Sequence, residues 1–385
     1  MPSRALGSPG GGEPLPPAAG GGDRGPVRPR CPAGSRAARD PPGDLRCPRR
    51  WSAPVSAPRL FLGVDCGGTG IAAGLVREDG AVLDCAVEPT QPAAGALPAS
   101  ERLATVVAAW LARAGAAGER VAGIGVGVPG AVDPASGTVG PDVYNLPGLA
   151  GEPLRGVLAD RFGLPVALDN DVNALALGEF RFGAGRGARC LVLLAVGTGV
   201  GGGVVLGGRL LRGAVGYAGE VGHTVIAMDG RSCICGRRGC LKAYVAGPDI
   251  AAQAREAAGA GEAASLLALV GGEPAALTAE VVFAAACAGD GAAAALVGRV
   301  ARALGVGIGN LLNTFNPDRL LLAGGVMQAA DLLLAPALAE AERVAYPSAF
   351  RSATIGLASI EKAAGVRGAA ALCLEGRGTR GTAMG

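Results

Sequence analysis

Two short apolar strands in this chain each run into a turn of glycines and a threonine and then into a return strand, and this repetition limits the fold more than any other feature. The first unit is Leu60-Phe61-Leu62-Gly63-Val64-Asp65, the turn Cys66-Gly67-Gly68-Thr69-Gly70, and a strand from Ile71 to Val76 closed by Glu78-Asp79-Gly80. The second is a strand from Leu191 to Val196, the turn Gly197-Thr198-Gly199-Val200-Gly201-Gly202-Gly203, and the return Val204-Val205-Leu206. One such turn alone is most simply a tight hairpin. Two of them predict two similar lobes, each presenting a backbone loop to a shared cleft. Neither turn continues into Gly-Lys-Ser/Thr, and the first leads into no helix, which argues against nucleotide-binding loops of the Walker or Rossmann kind.

Helical periodicity covers Ser100–Ala114, with Ser100 as N-cap, and Val172–Phe182, capped by Asp171 or a neighbour. It also covers Ala292–Thr314, Ala330–Val344 and Lys362–Cys373, and these helices alternate with strands at Val121–Val128, Pro165–Leu168 and Leu320–Ala323. The pattern is that of an α/β protein with mixed sheets. Aromatic residues make up only 3% while Gly numbers 67, so the core must be built from Ala, Val, Leu and Gly. No eighteen-residue apolar run lacks Gly, Pro or a charge, so no membrane span is expected.

Residues 1–58 hold 13 of the 27 prolines and nine Arg against four acids, without apolar periodicity. Such a segment cannot bury enough surface to fold and reads as a disordered tail. It has no secretory apolar core, its prolines oppose an amphipathic transit helix, and a mis-assigned start codon would explain it equally well. With the tail set aside, the formal +3 of the whole chain becomes −2, which argues against a dedicated nucleic-acid surface.

Three sets of residues offer chemistry. Asp65 ends the first strand, where a carboxylate can hold Mg²⁺ through water, and Thr69 and Thr198 add hydroxyl donors beside turns whose backbone N–H groups can approach phosphate oxygens. Leu168-Asp169-Asn170-Asp171-Val172-Asn173 puts carboxylates and amides where a strand meets a helix. An Asp there can take a proton from a substrate hydroxyl, although Asp and Asn are also common helix caps. The chain's one histidine, His223, precedes Cys233-Ile234-Cys235-Gly236-Arg237-Arg238-Gly239-Cys240. One imidazole and three thiolates form a closed tetrahedral set for structural Zn²⁺. Buried cysteines without a metal are the plain alternative, and a nucleophilic Cys–His pair lacks a third orienting group. Glu220, three residues before His223, can reach a sugar hydroxyl, and Gly127-Val128-Pro129-Gly130 reads as a strand-ending turn whose backbone can lie under a flat substrate.

Taken in order, these motifs resemble the ROK family (repressor, open reading frame, kinase), and most of all its bacterial glucokinases. The resemblance runs from about Arg59 to about Leu374 and ends on Ala323-Gly-Gly-Val326. It implies an actin-like, ribonuclease-H-like sugar kinase fold with two lobes around a cleft. The expected division is a tail at 1–58, an N-terminal lobe at 59–168 with the C-terminal helix 362–376 packing back on it, and a C-terminal lobe at 169–361 with a zinc loop at 220–242. It further implies ATP-dependent phosphorylation of a hexose 6-hydroxyl, most of all glucose, as part of cytoplasmic carbohydrate metabolism. By similarity, Asp171 is the general base, and Gly130, Asn170, Asp171, Glu220 and His223 contact the sugar. Asp65, Gly67, Gly68, Thr69, Gly197, Thr198 and Gly199 hold the ATP phosphates with Mg²⁺, and Gly324 and Gly325 lie by the adenosine. His223, Cys233, Cys235 and Cys240 bind structural zinc. The expected partners are a small-molecule sugar and ATP, with no specific nucleic acid and no membrane, in a homodimer or tetramer.

Three positions depart from the family pattern. Lys242 stands where a Glu accepting sugar hydroxyls is expected, and a donor-only ammonium there is expected to pair with Glu220 or swing out. Gly70 replaces a frequent Lys, and Ala323 replaces a third Gly of the adenosine motif. Two alternatives stay open: an N-acetylhexosamine kinase, since the family resembled includes such members, and, because of Lys242, a catalytically weakened sugar-binding or regulatory protein. The family's repressors carry a helix-turn-helix ahead of the kinase-like part, which the proline-rich residues 1–58 do not resemble.

Overall fold

The computed structural model describes residues 58–90, 98–144, 146–359 and 363–375, so nearly all of the tail predicted at 1–58 lies outside the described residues. Among the described residues, ten strands form two five-stranded sheets. The first contains β1 (Leu60–Cys66), β2 (Gly70–Arg77), β3 (Val82–Pro89), β4 (Val121–Val128) and β5 (Val166–Asn170), in the order β3-β2-β1-β4-β5. The second contains β6 (Cys190–Val196), β7 (Val200–Leu206), β8 (Arg209–Leu210), β9 (Arg319–Ala323) and β10 (Thr354–Leu357), in the order β10-β9-β6-β7-β8. In each sheet an antiparallel meander of three strands is extended by two parallel strands on the side of its first strand. The repetition read from the two glycine–threonine turns is therefore a repetition of whole sheets, and the fold is that of the actin-like sugar kinases.

The helices are α1 (Ala99–Ala116), α2 (Leu154–Phe162), α3 (Asp171–Phe182), α4 (Lys242–Val245), α5 (Gly247–Gly259), α6 (Ala264–Leu269), α7 (Ala279–Cys287), α8 (Gly291–Phe315), α9 (Ala330–Val344), α10 (Pro347–Ser352) and α11 (Ala364–Leu372). The first sheet shares its core with α1 and α2, where Leu103, Val107 and Trp110 pack beneath Leu62 and Val64. The second packs against α8, which is long and apolar enough to cross a membrane but buries more than half of its most apolar window inside the protein. Gly305 and Gly309 let α8 lie directly against α9, where a Cβ would strike the Ala337 carbonyl or the Val344 side chain.

Helices α3 and α11 are exchanged between the sheets. Helix α3 leaves the end of β5 and packs on β6 and β7, whereas α11 follows β10 and packs on β1, β2 and β4 of the first sheet. Glycines make both contacts possible. A Cβ at Gly63 of β1 or Gly125 of β4 would collide with the backbone of α11, at Val366 and Ala369. A Cβ at Gly201 or Gly203 of β7 would stand 2.7 Å from the Val172 side chain or 2.6 Å from Ala176 Cβ, both on α3. The two helices also touch each other, with Gly178 against Gly368.

These contacts correct two sequence readings. Gly201–Gly203 belong to β7 rather than to the turn; Gly201 and Gly203 are glycines because α3 lies on them, and Gly202, on the other face, because a Cβ there would strike the Val221 side chain and the Gly219 carbonyl. Ser100 lies inside the first turn of α1, whose N-cap position is Pro98. Strand β3, absent from the sequence reading, is a largely exposed edge with an irregular alternation of burial.

Candidate active site

The site lies where the parallel strands of both sheets end. Asp65 of β1 pairs in register with Gly127 of β4, which in turn pairs with Asp169 of β5, so Asp65, Gly127 and the Asn170–Asp171 turn arrive side by side. In the other sheet Ala195 of β6 pairs with Ala323 of β9, which sets the turn beginning at Gly197 beside Gly324 and Gly325. A Cβ on Gly197 would stand 3.7 Å from the Gly325 nitrogen, and Cβ atoms on Gly199 or Gly325 would meet nothing within 4 Å. The result is an open surface lined by backbone. Gly324 adopts φ 93°, which an L side chain rarely takes.

Asn170, rather than Asp171, caps α3. Its Oδ1 accepts the N–H groups of Val172 at 2.9 Å and Asn173 at 3.1 Å, and its Nδ2 donates to the Gly130 carbonyl at 3.1 Å. One amide hydrogen of Asn170 is left for a ligand. Asp171, the first residue of the helix, accepts the Val172 N–H at 2.8 Å and packs against Gly127, where a Cβ would approach its Cα to 3.2 Å. Burial, and then the charge of Asp65, pushes the Asp171 carboxyl up to about 7. Burial also raises Asp65 to about 6. Glu220 is held above the usual carboxylate range by burial and then by Asp142, whose carboxylate accepts the Tyr217 hydroxyl at 2.8 Å.

The first glycine turn is braced by Thr90, a buried residue that sequence reasoning missed. Its hydroxyl donates to the Gly67 carbonyl at 2.7 Å and its N–H to the Thr69 carbonyl at 3.2 Å. The second turn closes on itself, Gly197 N–H to Gly199 carbonyl at 2.9 Å, and the Gly197 carbonyl accepts the N–H of Gly247 at the start of α5, also at 2.9 Å. Gly67 and Thr69 thus sit at the end of the first sheet, and Gly197, Thr198 and Gly199 at the matching end of the second.

His223, Cys233, Cys235 and Cys240 place their ligand atoms within 4.8 Å of one another. Cys235 Sγ lies 3.7 Å from Cys240 Sγ, and Cys233 Sγ lies 3.6 Å from His223 Nδ1. Thiolates bound tetrahedrally at about 2.3 Å stand about 3.8 Å apart, and a thiolate and an imidazole nitrogen about 3.6 Å apart, so the four residues fit zinc. Gly236 at φ 80° and Gly239 at φ 77° make the tight turns between the cysteines, and a Cβ at Gly239 would strike the Ala227 carbonyl.

Lys242 does not pair with Glu220. Its Nζ donates to Asp249 Oδ2 at 2.8 Å, with the two side chains 13% and 18% exposed. The bridge between Val225 and Cys240, with the Leu241 N–H on the Thr224 carbonyl at 3.0 Å, brings Lys242 alongside His223.

The ROK family profile matches residues 61–375. The chain belongs to the ROK family. The glucokinase of Halalkalibacterium halodurans is 38% identical over 311 residues, 80% of this chain and 93% of that protein. A ROK family glucokinase from Streptomyces griseus, solved with glucose and AMPPNP, superposes with a TM-score of 0.67 at 36% identity, covering 81% of this chain and 98% of that one. A ROK family transcriptional regulator superposes with a TM-score of 0.70 at 28% identity, covering 81% of this chain and 77% of the regulator. Kinases and regulators thus share this ROK scaffold.

Proposed function

We propose that the chain is an ATP-dependent hexose kinase that transfers the γ-phosphoryl group to the 6-hydroxyl of glucose, with Asp171 as the general base. The observation that supports this most is the placement of Asp171: a half-buried carboxyl with its pKa near neutrality, at the junction of the two sheets and flanked by Asp65 and Glu220. A base is most effective when its pKa lies near the working pH. Asp171 takes the hydroxyl proton as the oxygen–phosphorus bond forms and the bond to the ADP oxygen breaks.

Such a transfer depends mainly on positioning and charge neutralisation. Backbone N–H groups of the two Gly-Thr turns supply the phosphate contacts, and Gly324 and Gly325 leave room for the adenosine. Asp65 would hold the Mg²⁺ that accompanies ATP and neutralises phosphate charge. His223 Nδ1 faces the thiols, so Nε2 is left for a sugar hydroxyl, beside Glu220, the free amide hydrogen of Asn170, and Gly130. Zinc held by His223, Cys233, Cys235 and Cys240 would fix that histidine, and three reduced thiols suit the cytoplasm.

Lys242 supports a second reading. Its ammonium beside His223 removes an acceptor from the sugar corner, which favours an N-acetylhexosamine or another hexose over glucose. Measuring kcat and KM with Mg-ATP across glucose, mannose and the N-acetylhexosamines, for the wild type and Asp171→Asn, tests both readings. Asp171→Asn is expected to lower kcat about 10²- to 10⁴-fold with little change in sugar affinity. Absence of turnover with every hexose would refute the kinase reading, and a variant within tenfold of an active wild type would refute Asp171 as the base.

A further inference from the structure

The turn carrying Asp171 is held by a buried ion network whose members lie far apart in the sequence. Asp169 is 3% exposed, and both its carboxylate oxygens are engaged. Oδ1 accepts the Asn170 N–H at 2.8 Å and Asn173 Nδ2 at 2.9 Å, and Oδ2 accepts Arg212 Nε at 2.6 Å. The terminal nitrogens of Arg212 donate to Glu375, Nη1 at 3.0 Å and Nη2 to the other oxygen. The Arg212 carbonyl accepts the Ala218 N–H at 3.1 Å, in the stretch that leads to Glu220. Arg212 therefore ties the β5–α3 turn to the chain just after α11 through its guanidinium, and both to the approach to Glu220 through its own backbone carbonyl.

We propose that Arg212 is a positioning residue for phosphoryl transfer, fixing the Asn170–Asp171 turn against the Glu220 segment through Asp169. The proposal rests on Asp171 being the base. A buried carboxylate that loses its cation must take up a proton or draw in water, and either change disturbs the groups Asp169 holds. Asn173 depends on it, because Asn173 Oδ1 is buried without a hydrogen-bond partner and only its Nδ2, on Asp169, is fixed. The disturbance would also reach Gly130, since the same turn carries the Asn170 amide that donates to the Gly130 carbonyl. A displacement of about 1 Å in such a site costs about a hundredfold in rate. Glu375 steadies the outer side of Arg212 and touches none of the turn.

The test compares full-length wild type with Arg212→Gln, Arg212→Lys and Glu375→Gln. It reads kcat, both KM values, melting temperature, and amide exchange over the peptide Leu168–Ala174. Arg212→Gln is expected to lower kcat of the folded enzyme roughly ten- to a hundredfold, leave KM for ATP within about twofold, and speed exchange of the turn. Glu375→Gln is expected to keep kcat within about threefold even if its melting temperature falls, which separates positioning from bulk stability. Arg212→Lys keeps the charge and one contact, should fall between the two, and stands in if the Gln variant does not accumulate. Unchanged kcat in the Arg212 variants, or unchanged exchange of the turn, would overturn the proposal. If the wild type phosphorylates no hexose, the kinase reading fails, and the exchange of the turn alone decides whether Arg212 holds it.

Discussion

Exchanging Lys242 for Glu restores the carboxylate expected at the sugar corner, but it also sets two carboxylates together, because Lys242 is bound to Asp249 at 2.8 Å with both side chains largely covered. Two like charges about 4 Å apart repel by about 4 kcal/mol at an effective dielectric of 20, and partial exposure trims that to about 2–3 kcal/mol. A charged hydrogen bond gained to the sugar is worth about 1.5–3 kcal/mol, or ten- to a hundredfold in affinity. In the free protein the new carboxylate relieves much of this repulsion by turning away from Asp249, so turning back to the sugar restores it, and in binding the two effects nearly cancel. Lys242→Glu alone is therefore expected to melt no more than about 4 °C lower and to show little net gain with glucose. Lys242→Glu combined with Asp249→Ala removes the repulsion and should lower KM for glucose at least tenfold. A coupled assay for glucose 6-phosphate and a thermal melt read both quantities, with Asp249→Ala as the control. If the double variant keeps the wild-type KM for glucose, Lys242 does not face the sugar and the reasoning fails.

Asp171 is pushed from 3.8 up to about 7, first by burial and then by the charge of Asp65, so kcat should rise with pH and reach half its plateau near pH 7, a dependence that Asp171→Asn should abolish. Stability should move the opposite way: the raised carboxyl favours the folded state fully below about pH 4 and loses that contribution as pH rises through 7, so the ligand-free melting temperature should fall across this window, with Asp65 adding to the fall. Zinc should be present at one ion per chain by a metal-indicator dye after thiol modification. Cys240→Ser should lose it and raise KM for the sugar at least tenfold more than KM for ATP, and equal changes in the two values would show that the metal does not serve the sugar corner.

The parts of the fold that were legible in the sequence are those with a strong local signature. Val121–Val128 and Ala330–Val344 form the expected elements at the same boundaries, because a run of Val and Gly between turns, or a clear apolar stripe, needs no distant partner to declare itself. Gly201–Gly203 were misread because glycine serves both turns and close packing, and neither the helix over Gly201 and Gly203 nor the Gly219–Val221 segment over Gly202 can be seen locally. The four zinc-type ligands were legible because their side chains carry the chemistry and nearly all lie in one loop. Arg212 and Glu375, the partners that hold Asp169 in place, were not, since each is an ordinary surface-type residue until distant segments bring them together. Lys242 was seen as a departure, but its partner Asp249 emerges only when α4 turns into α5.

The exchange of α3 and α11 also bears on how the protein is made. As the chain leaves the ribosome, β1, β2 and β4 are complete long before α11, and the face that receives α11 has no cover until that helix has been synthesised. Contacts so distant in sequence form slowly, because a long loop must close before they stabilise anything. The sheet begun at β1 is therefore finished only with α11, and during that wait its glycine-lined strands stay open to misassociation.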